Sequence, residues 1–260
     1  MKLTFIGSAD AFNSGGRGHS CYWLDGATDE PVIVDFGGTS LMRLQLEGRD
    51  PNELGAVVLT HLHGDHFGGL PFLQIYLTFV AQRTRPLTIL GPPGTQERVE
   101  GLMGLVYGSS ITEHAQYETR FVEIGQGESA ELLGSRWEAF LAVHLDPPEQ
   151  ALCLRVTGKD GSIVAFSGDT EPCDGLLDCA RGSDLLVAEC TGMRPPIGAH
   201  TTWEDWPAIL GRLETQRIAL THVGQDVRDE LPAILAAGGL PGPPVELADD
   251  GLVVEIPSRD

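Results

Sequence analysis

The chain has 260 residues, of which 42% are apolar and 33 are glycine, and its formal net charge is −20. This length and composition suit a globular enzyme, and we expect a single domain over residues 1–260. The excess of acidic residues argues against a protein that binds long nucleic acid through its phosphates, because such binding depends on Lys and Arg. It is compatible with a small anionic substrate that bound cations attract.

Neither membrane insertion nor secretion is indicated by the sequence. No apolar run approaches the ~20 residues that a membrane-spanning helix needs, and the run at residues 3–6 is too short for a signal peptide. The five cysteines are scattered without a C-x-x-C pair, which favours reduced thiols over a disulfide framework. We therefore expect a cytoplasmic protein with no membrane partner.

Short β-type runs recur through both halves of the chain. They cover residues 3–6, 21–24, 32–35, 56–60, 87–90, 121–124, 137–143, 151–156, 163–167, 185–188, 217–221 and 252–256. Helical stretches lie between them at residues 39–46, 67–82, 94–107, 203–213 and 227–236. Because many β-type runs alternate with few helices, we predict two sheets covered by helices on their outer faces.

The densest cluster of chemically active side chains follows the apolar run at residues 56–59. It reads T-H-L-H-G-D-H-F-G-G-L at residues 60–70, with three imidazoles and one carboxylate within six residues. These side chains stand where a strand should end and a helix begin, so they can converge on one point. A polar surface turn would explain one histidine, but H-x-H-x-D-H supplies the nitrogen and oxygen ligands of zinc and its neighbours. The segment predicts a metal site.

This segment resembles the metallo-β-lactamase superfamily, and its longer form T-H-L-H-G-D-H-F-G-G-L-P is most similar to the ribonuclease Z and phosphodiesterase branch. The resemblance implies an α/β (α+β) fold, the αββα sandwich, with two mixed β-sheets flanked by helices and the site at one sheet edge. It also implies that His61 and His63 bind one metal, while Asp65 and His66 bind a second.

The superfamily pattern implies further site residues downstream, each after a strand-like run. Asp35, before Gly-Gly, would orient a ligand imidazole by hydrogen bonding, although turn formation is an equal alternative. His144 would complete the first metal site, although alone it reads as an ordinary loop histidine. Asp169, in Ser-Gly-Asp-Thr, would bridge the two metals, and His222 would complete the second site.

Two other segments resemble the Glu-Ala-Thr and His-Ser-Thr segments of ribonuclease Z-like enzymes. They are A-E-C-T at residues 188–191 and A-H-T-T at residues 199–202. The resemblance implies that His200 sits over the substrate phosphate without binding metal, and that Glu189 orients it. The alternatives are a histidine at a helix N-terminus and a surface glutamate, but an unpaired carboxylate ending an apolar strand would be costly.

Five remaining residues have less specific contexts. His114 is expected to face solvent. Arg17 and His19 belong to the glycine-rich G-G-R-G-H-S segment, in which Arg17 could meet a phosphate or simply form part of a flexible turn. Cys173 and Cys179 could in principle bind a metal, but we interpret them as helix and loop residues.

The implied chemistry is hydrolysis with two divalent transition metals, zinc first, with manganese or iron as alternatives. We predict a phosphodiesterase that resembles ribonuclease Z but acts on a small or cyclic phosphodiester. Asp65 would orient water and accept its proton, and His200, oriented by Glu189, would protonate the leaving oxygen.

Two alternatives to this function stay open. The first is tRNA 3′ processing, although the enzymes that perform it carry a basic arm for which residues 145–168 have no room. The second is a carbonyl hydrolase, a lactonase or thioesterase, or a metal-binding protein with little catalysis.

The stretch at residues 67–82 is apolar nearly all round, which is more than one buried face requires. By analogy with ribonuclease Z-like proteins we expect a homodimer, with a wholly buried helix as the alternative.

Overall fold

The computed structural model describes residues 1–108 and 113–259, which contain fourteen β-strands in two sheets. The strands of the N-terminal half are β1 (Lys2–Gly7), β2 (Cys21–Asp25), β3 (Val32–Val34), β4 (Ala56–Val58), β5 (Leu87–Gly91) and β6 (Thr119–Glu123). Those that follow are β7 (Ser129–Leu132), β8 (Ser135–Leu141), β9 (Leu152–Thr157), β10 (Ile163–Phe166), β11 (Leu185–Glu189), β12 (Ile218–Thr221), β13 (Val245–Leu247) and β14 (Val253–Glu255).

Helices connect the strands and cover the outer faces of the sheets. They are α1 (Ser40–Leu46), α2 (Gly64–Phe67), α3 (Leu70–Ile75), α4 (Thr95–Tyr107), α5 (Asp174–Ala180), α6 (Trp206–Leu210) and α7 (Gln225–Ala237). A π-helix, Tyr76–Val80, continues α3, and short 3₁₀ helices occur at Ser14–Gly16 and Pro51–Glu53. None of the helices in the described ranges combines the length and hydropathy that crossing a bilayer requires.

Both sheets have the same pairing pattern. The first has the order β14-β1-β2-β3-β4-β5-β6, antiparallel as far as β3 and parallel from β3 to β6. The second has the order β13-β12-β11-β10-β9-β8-β7, parallel from β13 to β10 and antiparallel beyond it. Each half therefore contributes parallel strands whose carboxyl ends can carry a site.

The alternation of side chains along the strands creates three apolar layers. In β3, Val32 and Val34 point into the cluster between the sheets, which also contains Trp137 and Phe166. Ile33 points the opposite way, into the cluster beneath the N-terminal helices. A third cluster lies between the second sheet and its covering helices. The predicted αββα sandwich of two mixed sheets is confirmed.

Every predicted β-type run overlaps a strand of the structure, but β7, β13 and α5 were not predicted. The strand β7 is a half-exposed edge strand, so it lacks the apolar signal of a buried one. The helix predicted at residues 203–213 is wrong in extent, because α6 begins only at Trp206, next to Pro207.

The continuous helix predicted at residues 67–82 is interrupted in the structure. Helix α2 ends at Phe67, and α3 begins at Leu70 after two glycines. A Cβ atom on Gly69 would lie 2.2 Å from the carbonyl oxygen of Gly37, so only glycine allows this approach. The break packs the metal-motif segment against the turn that follows Asp35.

Candidate metal centre and active site

The site lies at one end of the sandwich, where strands of both sheets end. In the first sheet, His61 follows β4, and Asp35 follows β3. In the second sheet, β10, β11 and β12 are parallel, so Asp169, Glu189 and His222 come to the same edge. The predicted location at a sheet edge therefore follows from the parallel pairing at the centre of each sheet.

Within the described residues, four overlapping groups of potential metal ligands meet at this edge, and two of them contain the residues predicted for the two metals. Within each group the ligand atoms lie within 4.8 Å of one another. The first group consists of His61, His63 and His144. The second consists of Asp65, His66, Asp169 and His222. The other two groups include His200, one with His144 and Asp169 and one with Glu189 and His222. Asp169 also reaches the first group, with its Oδ2 atom 3.8 Å from His61 Nε2 and 3.9 Å from His144 Nε2.

The spacing within the second group fits a bound cation. Tetrahedral coordination at about 2.0–2.1 Å places neighbouring ligand atoms about 3.3 Å apart. His66 Nε2 lies 3.3 Å from Asp65 Oδ2 and 3.2 Å from Asp169 Oδ2. His222 Nε2 lies 3.4 Å from the same two oxygens. The four donor atoms thus surround a common centre.

Unsatisfied nitrogen atoms support the same conclusion. The Nε2 atoms of His61 and His66 are buried, and neither has a hydrogen-bond partner within residues 1–108 and 113–259. The Asp169 carboxylate is close to His66 Nε2, but the contact lacks hydrogen-bond geometry. A buried polar atom without a partner is costly, and a divalent metal in each ligand group would satisfy the nitrogen of that group.

Two chains of hydrogen bonds orient imidazoles towards the centre. Thr60 Oγ1 donates to Asp35 Oδ2 at 2.9 Å and lies 3.1 Å from His61 Nδ1. Thr191 Oγ1 donates to Glu189 Oε2 at 2.7 Å and lies 2.8 Å from His222 Nδ1. Because each hydroxyl proton is given to a carboxylate, each threonine oxygen accepts the Nδ1 proton of its histidine. The Nε2 atoms then face the centre, where they can bind a metal once they carry no proton.

Asp35 has a second contact that fits its predicted orienting role. Its Oδ2 atom lies 2.8 Å from His66 Nδ1, and its Oδ1 atom accepts the backbone N–H of Thr60 at 2.8 Å. Asp35 and His222 both have positive φ, at 58° and 51°. For residues other than glycine this conformation costs about 1–2 kcal/mol, so the contacts around the site must hold it.

The charge state of the ligands depends on burial and on their neighbours. Burial lowers the pKa of His61 and His63, so both imidazoles are neutral and able to donate a lone pair. Burial would raise the pKa of Asp169, but the positive charges of His222 and His66 outweigh it and hold that pKa well below its usual value. Burial also lowers the pKa of His222, yet the Asp169 charge reverses this effect and raises the pKa to about 9. A cation that enters the second group must therefore displace protons.

His200 and Glu189 form a pair beside the two ligand groups. His200 Nδ1 lies 2.9 Å from Glu189 Oε1, and the same oxygen accepts the backbone N–H of Thr170 at 2.7 Å. The Glu189 side chain is 1% exposed, whereas that of His200 is 17% exposed. Burial lowers the pKa of His200, but the hydrogen bond and charge of Glu189 outweigh it and raise that pKa. The imidazole is close to Asp169, with Nδ1 3.9 Å from Oδ2.

The less specific residues lie outside the two ligand groups. Arg17 donates to Asp249, with Nη2 and Oδ2 2.9 Å apart, so its guanidinium is already paired. His19 Nε2 donates to the carbonyl of Ala11 at 3.2 Å, so His19 is part of a hydrogen-bonded loop. His114 is exposed, as expected. Cys173 precedes α5 and Cys179 lies within it, which agrees with the interpretation of these two cysteines as helix and loop residues.

A known protein family matches most of this chain. The family described as "Beta-lactamase superfamily domain" matches residues 32–223, which include every predicted metal ligand. The chain belongs to this superfamily. The predicted membership of the metallo-β-lactamase superfamily is confirmed with it. Similarity to Ribonuclease Z proteins supports the predicted branch and a metal-dependent hydrolase.

Relatives of this superfamily member are similar over its whole length. The Ribonuclease Z of Methanothermobacter thermautotrophicus is 26% identical, over 100% of this chain and 98% of that protein. Among solved structures, the metallo-β-lactamase fold protein YhfI from Bacillus subtilis has a TM-score of 0.77 and 22% identity, covering 97% of this chain and 98% of that one. A diphosphatase from the PhnP family has a TM-score of 0.74 and 22% identity, and the match covers 99% of this chain and 98% of the diphosphatase. The two structures share the fold.

Proposed function

We propose that this superfamily member is a phosphodiesterase that hydrolyses small anionic phosphodiesters with two divalent transition metals, zinc first among them. The observation that carries the proposal is the His200–Glu189 pair. The imidazole is partly exposed, has a raised pKa and lies close to Asp169, the ligand that we propose is shared by the two metals. An acid in this position suits a reaction in which a poor leaving oxygen must be protonated.

The two ligand groups would each hold one metal. The first metal would bind to His61, His63 and His144, and the second to Asp65, His66 and His222. Asp169 would be shared between them, because its Oδ2 atom lies within 4 Å of members of both groups. When bound, the two metals lower the pKa of a water molecule and neutralise the charge that builds on the substrate oxygens.

The residues of the chain would direct the protons of the reaction. Water adds to phosphorus, the bond from phosphorus to the leaving oxygen breaks, and the alcohol departs. Asp65 would orient the attacking water and accept its proton. His200 would give a proton to the leaving oxygen, while Glu189 holds its Nδ1 atom and stabilises the protonated ring. No serine or cysteine nucleophile is needed for this reaction.

Three observations favour a small diester over precursor tRNA. The chain has a net charge of −20, which opposes a long polyanion. Between His144 and Asp169 the structure has the antiparallel pair β9–β10, which leaves no room there for a basic arm. The alignment with the archaeal Ribonuclease Z spans 304 positions against 260 residues, so that enzyme has segments that this chain lacks.

We also propose that residues 1–260 act as a single domain. The ligand His61 follows a strand of the first sheet, and His222 follows a strand of the second, so neither half could form the site alone.

The proposal is tested by a hydrolysis panel with metal-reconstituted protein. The substrates are bis-p-nitrophenyl phosphate, 3′,5′-cyclic AMP, a dinucleotide, precursor tRNA, a lactone and a thioester. We expect turnover of the small diesters and little of the carbonyl esters. Preferred cleavage of precursor tRNA would support tRNA processing instead, and preferred cleavage of the lactone or thioester would reject phosphodiester hydrolysis. Asp169→Ala is the control for contaminating activity.

A further inference from the structure

A cavity of about 400 Å³ opens beside the active site, on the side of His200 and His222. Its wall includes residues 10–12, Gly192 and Ile197. If His200 protonates the leaving oxygen, the group that leaves must lie on the same side as His200. This cavity is therefore where the leaving group of a phosphodiester would be bound.

The wall of the cavity carries an exposed aromatic ring. Phe12 is 87% exposed although it lines the cavity, so most of its ring is open to a ligand. At this position the phenylalanine ring makes little apolar contact with the rest of the protein. It can gain that contact from a ligand, because planar rings stack on aromatic side chains.

The loop that carries Phe12 is held in place by buried contacts. Asp10, which is 5% exposed, accepts the backbone N–H of Phe12 at 3.1 Å and that of Ser14 at 3.0 Å. Its second oxygen accepts the Ser14 hydroxyl at 2.7 Å. The carbonyl of Ala11 is bonded to the His19 ring at 3.2 Å. Because the loop is already ordered, a ligand that stacks on Phe12 does not have to order it.

The polar groups of this cavity are largely occupied by the protein. Asp226 accepts the backbone N–H groups of Met193 and Val227, each at 2.9 Å. Asp10 is bonded as described above, and none of the described residues that line the cavity is Lys or Arg. The cavity on the His63 side, also about 400 Å³, differs because its lining includes Glu97 and the ion pair of Arg98 with Glu149. The Phe12 cavity thus suits a flat, uncharged group.

We propose that Phe12 is a specificity residue that stacks on a planar ring of the leaving group. The preferred substrate would then be a phosphodiester whose leaving alcohol carries a nucleobase or a similar flat ring. This inference rests on the proposed function, because it takes the His200 side as the side of the leaving group. Phe12 itself takes no part in proton transfer.

The experiment uses the dinucleotide ApA and two analogues, each with hydrogen in place of one base. These three diesters have the same sugar leaving oxygens, so the need for protonation is closely matched. With the wild-type protein, loss of the base from the leaving nucleoside should lower kcat/KM roughly 5- to 150-fold, the range for one base–aromatic stack. In Phe12→Ala, kcat/KM for ApA should fall by the same factor. It should hardly change for the analogue that lacks the base of the leaving nucleoside.

Two further variants complete the comparison. Phe12→Trp should restore the preference for the base, because the indole provides a stacking surface. Phe79→Ala removes another exposed phenylalanine, which lines neither cavity, and should leave the preference unchanged. If Phe12→Ala slowed both substrates equally, or neither, the assignment of Phe12 would be overturned.

A binding measurement separates this inference from the proposed function. Calorimetry with adenosine and ribose on the metal-loaded protein needs no hydrolysis. We expect adenosine to bind roughly 5- to 150-fold more tightly than ribose, and Phe12→Ala to abolish that difference. If none of the diesters were hydrolysed but this difference were observed, the proposed function would fail and the stacking role would stand. Equal binding of adenosine and ribose would overturn the stacking role, whatever the activity.

Discussion

The Nδ1 atom of His200 lies 2.9 Å from Oε1 of Glu189, whose side chain is buried at the end of β11. Burial favours the neutral form of this imidazole, but the hydrogen bond and charge of the carboxylate outweigh it and raise the pKa of His200. The same carboxylate supports a second histidine, because its Oε2 atom accepts the hydroxyl of Thr191, which is bonded to His222. Glu189 therefore links the proposed proton donor to a proposed metal ligand.

His200→Ala separates proton donation from metal binding. We expect turnover of alkoxide-leaving diesters to fall by ~10²–10⁴-fold, because a general acid is lost. Hydrolysis of bis-p-nitrophenyl phosphate should change little, because p-nitrophenolate departs without a proton. Metal content and Tm should match the wild type, as they should in the exposed control His114→Ala. Loss of a metal, or an equal loss of rate with both substrates, would mean that His200 is not the proton donor.

Thr191→Val tests the hydrogen bond that orients His222. The substitution keeps the size of the side chain but removes the hydroxyl, so His222 Nδ1 and Glu189 Oε2 both lose a partner. We expect the second site to bind zinc about 10- to 100-fold more weakly, the usual effect of removing an orienting partner, with the first site unchanged. Competition with a chromophoric chelator measures both affinities. Thr191→Ser should retain tight binding, and equal affinities in Thr191→Val and wild type would contradict the orienting role.

Several features of the centre were predictable because they are local in sequence. The H-x-H-x-D-H segment follows the apolar run at residues 56–59, so its residues could be recognised as a metal motif from their neighbours. Asp169 and His222 also follow apolar runs, but the superfamily resemblance was needed to single them out. The two-sheet architecture was predictable for the same reason. The superfamily resemblance supplied the pairing of ligands into two groups.

Other features could not be predicted, because they depend on contacts between distant segments. Threonine is common in strands, so nothing in the sequence marks Thr60 and Thr191 as partners of imidazoles. The role of Asp10 in holding the Phe12 loop is likewise visible only in its hydrogen bonds. The break at Gly68–Gly69 depends on the approach of Gly37, which is thirty-two residues away from Gly69.

Self-association remains a prediction, and the structure shows a surface that suits it. Phe72, Phe79 and Val80 are 44%, 49% and 67% exposed, and Phe72 contacts the Tyr107 ring of α4. Residues 66–96 contain no Asp or Glu, so two copies of an acidic chain could meet here with little repulsion. We expect a dimer in sedimentation at micromolar concentration, and a monomer for Val80→Asp.

A matched control for this experiment is Val253→Asp, which changes an exposed valine on the edge strand β14 and should leave the dimer intact. If the wild-type protein sediments as a monomer at micromolar concentration, the prediction of a dimer is wrong.

Cys173 should be the reactive cysteine of the folded protein. A hydrogen bond from Cys153 lowers the pKa of its thiol to about 6, and it is half-buried. Burial raises the pKa of Cys21, Cys179 and Cys190, so these should stay protonated. Because the thiolate is the nucleophile, alkylation by iodoacetamide should be slow below pH 5, rise through pH 6 and reach a plateau by about pH 8. Mass spectrometry should locate a single label, absent in Cys173→Ser, whereas a midpoint near pH 8.5 would show an ordinary thiol.

The claim that the chain is a two-metal phosphodiesterase is tested most directly by a zinc titration of chelator-treated protein, with the rate of bis-p-nitrophenyl phosphate hydrolysis as the signal. We expect no activity without metal and a plateau at two equivalents per chain, because Asp169 is shared between two ligand groups. For that reason Asp169→Ala should remain inactive and retain neither metal, while His144→Ala should mainly weaken one site. A plateau at one equivalent, or full activity without metal, would contradict the two-metal centre.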